Sequence, residues 1–362
     1  MDFTADDVKA LVDELNAAAK GGDMGHIGFG LGLFVVDEDG DEVPWKGRNG
    51  RLGMSDIMAK MGEFYPLHTE NEQGDLVACS RGPVSFGVGA GGFILVDIQP
   101  QISVAALKEE YAHFNFRLAQ ILDEVDYQIV LTGAHPSAPR ANLEAVPGVP
   151  SNSADGMAGL ALGIEFADEA DAIRKMRIAA LLAPVLGFMG ENMPSLDCEA
   201  CATPLTSLAL SRAGSAVCKP LEDALFTSSY SFERHAEILL EAGETSLFTG
   251  ADVALADLLW LNCADAMPLA PAFAFAALVK GLFYSPTTLE LLEVMLGLDK
   301  PQAAYNAAAI DAAIEAIQAS GDAAVVYGRE LASWVDMLLR LAPEGLGTEA
   351  DLLEALQEFK GF

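Results

Sequence analysis

Cysteine and histidine offer few spacings in this chain that could support chemistry. The clearest pair is Cys198 and Cys201, which has the C-x-x-C spacing of zinc and redox sites. No second pair and no nearby histidine accompanies it, so a structural or incidental role is favoured over a metal or redox site. The five histidines form neither an H-E-x-x-H motif nor an i, i+4 pair, so a helical zinc site is not indicated.

Two ladders of glycine stand at every second position within apolar runs. They consist of Gly28, Gly30 and Gly32, and of Gly87, Gly89 and Gly91. A period of two is the side-chain period of a β-strand, so each ladder removes the side chains from one face of a strand. Glycine weakens a strand interior. The ladders therefore indicate either that something packs closely against those faces or that something has been removed from them.

Common nucleotide and nucleophile motifs are absent from the sequence. It contains neither a G-x-x-x-x-G-K-[ST] phosphate loop nor a G-x-S-x-G nucleophile elbow. The glycines from Gly87 to Gly92 have the spacing G-x-G-x-G-G, and the segment continues into a strand rather than opening a helix. A dinucleotide-binding site of the Rossmann type is therefore not expected.

Composition limits the classes of partner. With 362 residues, of which 51% are hydrophobic and 20% charged, the chain can bury a large core. Its 53 acidic and 21 basic residues give a net charge of −32, which disfavours nucleic acid and suits a highly soluble or salt-adapted surface better than an acidic docking face. No apolar stretch reaches the roughly 18 residues of a membrane span. The acidic N-terminus and the odd number of cysteines favour a cytoplasmic protein with reduced thiols.

Capping and alternation patterns predict the elements of the first half. Thr4 and Asp7 predict a capped helix that extends to about Lys20, and Ser103 predicts a second one to about Asp123. The first glycine ladder lies on a strand. Residues 76–100 are interpreted as a hairpin of two further strands joined around residues 81–83, and residues 127–132 as another strand.

The second half is predicted to be mainly helical. A loop from Ala138 to Asp155 precedes a strand at residues 157–166 and a long helix at residues 168–189. Further helices are predicted to start at Ser285-Pro286 and at Lys300-Pro301. We therefore expect one α+β domain over residues 1–362, with a strand-rich core at about 24–166 and a helix-rich remainder at about 167–362. Its mainly antiparallel sheet would have helices on one face.

A resemblance to a known family rests first on residues 169–194. Their sequence, EADAIRKMRIAALLAPVLGFMGENMP, resembles a helix of the glutamate–cysteine ligase family of the plant and actinobacterial type, which runs from an acidic start through Lys-x-Arg to an Ala-Asn-Ser-Pro end. The matching positions are Lys175, Arg177, Asn192 and Pro194. Other segments follow the family in order over about residues 26–345: IGFGLGLFVVD, GAGGFILVDIQP, TGAHP, YSFERHAEILLE and NCADAMPLAPAFAFAALVKGLFYSP.

This resemblance implies a funnel-like sheet of the glutamine-synthetase type and an ATP-dependent activity. Family members join the γ-carboxylate of glutamate to an amine, usually that of cysteine in glutathione biosynthesis, through an acyl phosphate. The triphosphate must be neutralised by Mg²⁺, which is held by carboxylates from facing strands.

The positions matching the family's metal-binding and substrate-binding residues carry other side chains here. The family's first Glu-x-Glu pair falls on Gly30 and Gly32, and its later acidic residues and its Glu-x-Arg fall on Gly89, Leu95, Trp260 and Asn262. The Thr and Gln that family members place near the substrate fall on Met157 and Ala161. The resemblance therefore implies a degenerate metal site, with no catalytic residue and no metal ligand assigned.

Four polar residues remain as candidates for an anion or amino-acid pocket: Arg177, Asn192, Arg212 and Asp265. Each also has a structural interpretation. Arg177 suits an ion pair or a snorkelling side chain, Asn192 a helix end and Asp265 a turn, and the match at Arg212 is poor. Asp97 and Glu165 are the acids best placed to replace lost ligands, although solvent-facing strand ends are the favoured interpretation of both.

Two functions follow from these residues. The favoured one is a degenerate ligase homologue that binds a small molecule or a partner and needs no cofactor. The alternative is an active carboxylate–amine ligase that uses ATP and Mg²⁺ with substitute ligands. An unrelated α+β binding protein is a third interpretation, and a homo-oligomer stays open. Three or more carboxylates around a common point in the sheet would favour the active enzyme.

Overall fold

The central feature of the protein is a large antiparallel sheet. The computed structural model describes residues 3–22, 24–136, 143–149, 156–193, 205–247, 251–300 and 305–361. Within these residues nine strands form one sheet: β1 (Ile27–Val36), β2 (Leu67–Glu70), β3 (Leu76–Arg81), β4 (Val84–Gly89), β5 (Phe93–Gln101), β6 (Gln128–Val130), β7 (Gly159–Ile164), β8 (Val253–Leu255) and β9 (Leu259–Asp265). Their order is β2-β3-β4-β5-β1-β7-β9-β8, and β6 pairs with β1.

Helices connect and cover these strands. The described α-helices are α1 (Ala5–Ala18), α2 (Met54–Gly62), α3 (Val104–Leu122), α4 (Glu169–Met189), α5 (Thr206–Gly214), α6 (Cys218–Leu225), α7 (Phe232–Glu241), α8 (Leu269–Tyr284), α9 (Pro286–Leu296), α10 (Ala307–Ser320), α11 (Leu331–Leu341) and α12 (Glu354–Lys360). Two short strands, β10 (Val325–Val326) and β11 (Arg329–Glu330), form a separate hairpin.

The two faces of β1 have different surroundings. Phe29 lies on one face and packs against Tyr111 of α3 and Phe273 of α8, with ring centroids 6.3 and 5.1 Å away. We call this the helix face. The opposite face of β1 carries Gly30, and we call it the glycine face. The sheet is thus an antiparallel layer with helices packed on one side, which confirms the predicted α+β fold class.

Several local predictions are confirmed because their signals are local. Thr4 and Asp7 form a capping box at the start of α1, and Ser103 and Ser285 accept hydrogen bonds at the starts of α3 and α9. The strands β6 and β7 lie within the predicted ranges. The assignment of residues 1–362 to one domain stays a prediction. The strands β8 and β9 of the sheet come from the segment that was expected to be helix-rich.

Two predicted boundaries are wrong. Residues 76–100 form three strands rather than two, because the chain turns between β4 and β5, where Gly91 and Gly92 have φ of 74° and 70°. The helix expected to start at Lys300-Pro301 begins instead at Ala307, after the cap Asn306. Pro301 lies outside the described residues. The elements α2 and β2 had no prediction.

Among the described residues, no single helix has the length and hydropathy of a membrane span. The helices α8 and α9 meet that test only as a pair, and they are bent by 85° relative to one another.

Candidate functional site

The glycines of β1 are packed closely by their neighbours on the glycine face. A Cβ at Gly28 would lie 2.9 Å from Leu258 and 3.1 Å from the Trp260 ring. At Gly32 it would lie 2.8 Å from the Phe93 ring and 3.0 Å from the Ala158 Cβ. These distances leave no space for a side chain without movement of the neighbours. The packing favours the first of the two interpretations of this ladder, that something packs closely against the strand face. The assignment of Gly30 and Gly32 to a degenerate metal site stays a prediction.

The second ladder is not a continuous strand feature. Gly87 has open space, since an added Cβ would meet nothing closer than 3.6 Å, whereas at Gly89 it would lie 2.9 Å from Phe93. Gly91 is in the turn after β4, in the left-handed region where side chains are disfavoured. Only the part of this ladder at Gly87 leaves the face open.

Three other positions of the degenerate metal site have assignable surroundings. Leu95 is 37% exposed on the glycine face, where it pairs with Gly32. The Trp260 indole lies beside Gly28 and donates a hydrogen bond to Asp257 Oδ1 at 3.0 Å. Asn262 donates through Nδ2 to the Ala251 carbonyl at 2.7 Å. Trp260 and Asn262 thus connect β9 to neighbouring backbone and loop residues.

Asp97 is the carboxylate at the middle of the glycine face. Asp97 belongs to β5 and pairs with Ser85 of β4 on one side and with Gly30 of β1 on the other. Gly30 in turn pairs with Ala161 of β7, so the four residues form a row across the sheet. Asp97 Oδ1 is 2.8 Å from the place where a Cβ on Gly30 would stand. Within the described residues the carboxylate accepts no hydrogen bond, and burial raises the pKa of Asp97 to about 6. The side chain is half-buried and available to a ligand.

Glu165 is engaged by the protein itself. Its Oε2 accepts hydrogen bonds from the backbone amides of Gly25 at 2.9 Å and His26 at 3.0 Å. Lys175 Nζ, which is buried, donates to the Glu165 carbonyl at 2.8 Å and pairs with Asp171 at 2.8 Å. The Glu165 carboxylate therefore holds the chain before β1 in place. Its Oε2 is already occupied by two backbone hydrogen bonds, which leaves fewer lone pairs for a metal ion.

Asn192 and Asp265 are brought together at the end of β9. Asp265 Oδ2 accepts a hydrogen bond from the backbone amide of Asn192 at 2.8 Å, and Oδ1 accepts one from the Ser207 hydroxyl. Asn192 Nδ2 also donates to the carbonyls of Leu131 and Ala266, both at 2.9 Å. Burial raises the pKa of Asp265. This polar cluster joins the segments after α4 and β6 and the start of α5 to the end of β9.

Arg177 and Arg212 are in other surroundings. Arg177 donates to the carbonyls of Leu225 at 2.8 Å and Thr227 at 2.9 Å. Arg212 is buried and pairs with Glu222, with Asp252 at 3.0 Å and with Asp311 at 2.9 Å. Neither guanidinium is hydrogen-bonded to Asn192 or Asp265, so the four predicted site residues do not form one pocket in the described residues.

The ion cluster around Arg212 contains a group with metal-binding residue types. Cys218, Glu222 and Asp252 are buried and offer ligand atoms within 4.8 Å of one another. The guanidinium of Arg212 already neutralises both carboxylates, and Cys218 Sγ donates to Asp252 Oδ1 at 2.6 Å. A thiol is also a poor ligand for Mg²⁺. The donor set does not fit the magnesium site of an ATP-dependent ligase.

No sequence spacing indicated this cluster, because the three carboxylates that pair with Arg212 are 10, 40 and 99 positions away from it. The same holds for Ser207, which is 58 positions from Asp265. The predicted pair Cys198 and Cys201, and Pro194, lie outside the described residues.

Comparison with known proteins identifies the fold. No protein-family model matches the chain, and no curated protein matches it in sequence. The structure of glutamate–cysteine ligase from Francisella tularensis in complex with AMP is similar over 94% of this chain and 82% of that one, with 14% identity and a TM-score of 0.55. The chain has a ligase fold. A structure of GmaS without ligand covers 98% of the chain at 14% identity, but its TM-score of 0.38 supports no argument.

This similarity supports the sheet architecture that the sequence resemblance implied. It shows that the chain shares its overall fold with this ligase. At 14% identity it supports the fold alone, and activity must be argued from the residues.

Proposed function

We propose that this ligase-fold protein does not carry out metal-dependent ligation and instead binds a small molecule on the glycine face beside Asp97. The observation that carries the proposal is the close packing of β1. A side chain at Gly32 would collide with the Phe93 ring and Ala158, and one at Gly30 would have to displace the Asp97 carboxylate and approach Ala161 closely.

The chemistry of ATP explains why this observation matters. Phosphoryl transfer depends on Mg²⁺ to neutralise the phosphates, and Mg²⁺ needs several hard oxygen ligands in near-octahedral geometry. In its row across the sheet, Asp97 has Ser85, Gly30 and Ala161 as neighbours, and none of these is a carboxylate. A single monodentate ligand supports weak metal binding at best, so turnover is not expected.

The same face suits a flat ligand. Ser85, Leu95 and Gly159 are exposed there, and Gly87 leaves open space above the backbone. Small residues allow a ligand to approach backbone groups closely, and Asp97 supplies one acceptor. Because the similar ligase structure holds AMP, an adenine nucleotide is the first ligand to test.

The alternative function is an active carboxylate–amine ligase that uses Asp97 as a substitute ligand. One distance favours it. Asp97 Oδ1 lies 2.8 Å from the site of a Cβ on Gly30, so its carboxylate occupies the region that a side chain at position 30 would enter. An active enzyme would need further oxygen ligands from substrate or from other segments.

Calorimetric titration and a turnover assay separate the two functions. ATP is titrated with and without Mg²⁺, and phosphate release is measured with glutamate and cysteine for the native protein, D97N and the control D336N. Asp336 is exposed and lies on α11. We expect no Mg²⁺-dependent phosphate release from any of the three. Release that D97N abolishes and D336N retains would overturn the proposal in favour of the alternative.

A further inference from the structure

A cavity lies on the helix side of the sheet, away from Asp97. It has a volume of about 480 Å³ and is lined by residues of α3, of the segment after α2 and of the β3–β4 turn, including Phe64, Tyr65, Arg81, Glu110, Phe116 and Arg117. Tyr65 packs edge-on against Phe86, whose ring centroid is 4.9 Å away. We call this cavity the Arg81–Arg117 pocket. Its volume is in the range of small-molecule sites.

Arg81 and Arg117 line this pocket without an ion-pair partner among the described residues. The protein has 53 acidic and 21 basic residues, and basic side chains such as Arg51, Arg174 and Lys280 form ion pairs. Arg81 and Arg117 form none with any residue that the structure describes. Two positive charges close together without a carboxylate partner create a local attraction for an anion.

Arg117 is held in a fixed orientation. Its guanidinium lies over the Phe64 ring at 4.5 Å and over the Phe116 ring at 5.4 Å. Of its N–H groups, one donates to Gln120 at 3.0 Å. A guanidinium has five N–H donors in a planar fork that matches a carboxylate. Stacking on the rings leaves donors at its edge available for a ligand.

Two further residues with hydrogen-bond donors, Arg81 and Tyr65, line the same pocket. One N–H group of Arg81 donates a hydrogen bond to the Phe64 carbonyl at 3.3 Å. Tyr65 is buried, with 5% of its residue surface exposed, and the structure shows no hydrogen bond from its hydroxyl to any described residue. Burial raises the pKa of Tyr65, and the positive charges of Arg81 and Arg117 act in the opposite direction. All three residues line this pocket.

From these contacts we infer that the Arg81–Arg117 pocket binds an aromatic carboxylate, with the carboxylate between the two guanidinium groups and the Tyr65 hydroxyl and the ring against Phe64 and Phe116. The site is separate from the glycine face, so this inference does not depend on the proposed function. Arginine–carboxylate pairs are frequently bidentate and are stronger than neutral hydrogen bonds, and the exposed Phe116 supplies apolar surface for the ring.

Isothermal titration with benzoate as the probe tests the inference. We expect benzoate to bind the native protein more tightly than acetate does, because acetate lacks the ring. R81Q, R117Q and Y65F should each weaken benzoate binding, by about tenfold for either arginine. E110Q should strengthen it by about threefold, since it removes a negative charge from the pocket wall. R329Q is the matched control, because Arg329 also stacks on an aromatic ring, Trp334, at 5.0 Å.

Each outcome bears on the inference. Failure of benzoate to bind, equal binding of acetate, or equal loss in R329Q and R117Q would overturn it. Tighter binding of inorganic phosphate than of benzoate would overturn the assignment to a carboxylate. Because E110Q acts in the opposite direction to the arginine variants, a general loss of folding cannot produce the expected pattern, and thermal melting of every variant checks this directly.

Discussion

Gly32 of β1 and Gly87 of β4 both belong to glycine ladders but differ in the space around them. The Cβ of an alanine at position 32 would lie 2.8 Å from Phe93, whereas at position 87 the nearest atom is 3.6 Å away. We expect G32A to lower the free energy of unfolding by about 1–3 kcal/mol through overpacking. G87A should leave it unchanged or raise it by up to about 1 kcal/mol, since alanine has less freedom to lose on folding.

Urea unfolding of the two variants measures this difference. Equal free energies of unfolding for G32A and G87A would contradict close packing as the reason for the ladder on β1.

Asp97 makes stability depend on pH in a defined direction. Burial raises the pKa of Asp97 from 3.8 to about 6 in the folded protein, so the folded state binds the proton more tightly than the unfolded chain. Its contribution to stability is fully present below about pH 4 and is lost as the pH rises through 6. We expect D97N to lack this part of the pH dependence. Unfolding by urea between pH 4 and pH 7 checks the slope, and a carboxyl titration midpoint near 4 by NMR would contradict it.

At the scale of elements, the two turns that flank β4 make different demands on glycine. Gly82 and Gly92 both have positive φ, 58° and 70°, but a Cβ at Gly82 meets nothing within 4 Å and one at Gly92 would lie 2.5 Å from the Val35 carbonyl oxygen. We expect G82A to lower the free energy of unfolding by about 1–2 kcal/mol through strain alone. G92A should cost more, because it also separates the turn from β1. Thermal melting ranks the two variants, and a lower melting temperature for G82A would disprove the role of this contact.

The sequence predicts elements well where the signal is a side chain that caps a helix. Thr4, Ser103 and Ser285 mark the starts of α1, α3 and α9, whereas α2 follows Gly53, which has no side chain to cap it. The turn between β4 and β5 was missed because apolar and glycine residues continue to alternate through it. Alternation indicates an extended chain, but it cannot show where positive φ at Gly91 reverses the direction.

At the scale of the whole molecule, Arg212 joins segments that are distant in sequence. From α5 it pairs with Glu222 of α6, with Asp252 before β8 and with Asp311 of α10. Removing its charge leaves the buried carboxylates of Glu222 and Asp252 without a cationic partner, so R212M should lower the free energy of unfolding by about 3–5 kcal/mol. R340M is the control, because Arg340 and Asp336 form an exposed pair that contributes little.

Chemical denaturation of both variants provides the measurement. A loss for R212M as small as that for R340M would show that the cluster does not stabilise the fold.

Fold and site differ in how far the sequence could predict them. The α+β class and the ligase-like architecture followed from the order of several segments, each of which carries its own local pattern. The surroundings of Arg177 and Arg212 could not be foreseen, because their partners are separated by tens of positions and have no common spacing. Likewise, the sequence could not show why position 28 is a glycine, because the Trp260 ring that packs against it is distant in sequence.

The packing around Gly32 also restricts the order in which this face could be redesigned. A glutamate placed there first would collide with the Phe93 ring and with Ala158. Phe93 must be made smaller before any acidic side chain can be accommodated at position 32. An engineer who wishes to place a metal ligand at position 32 therefore cannot do so by a single replacement there, and must begin at Phe93 on the neighbouring strand β5.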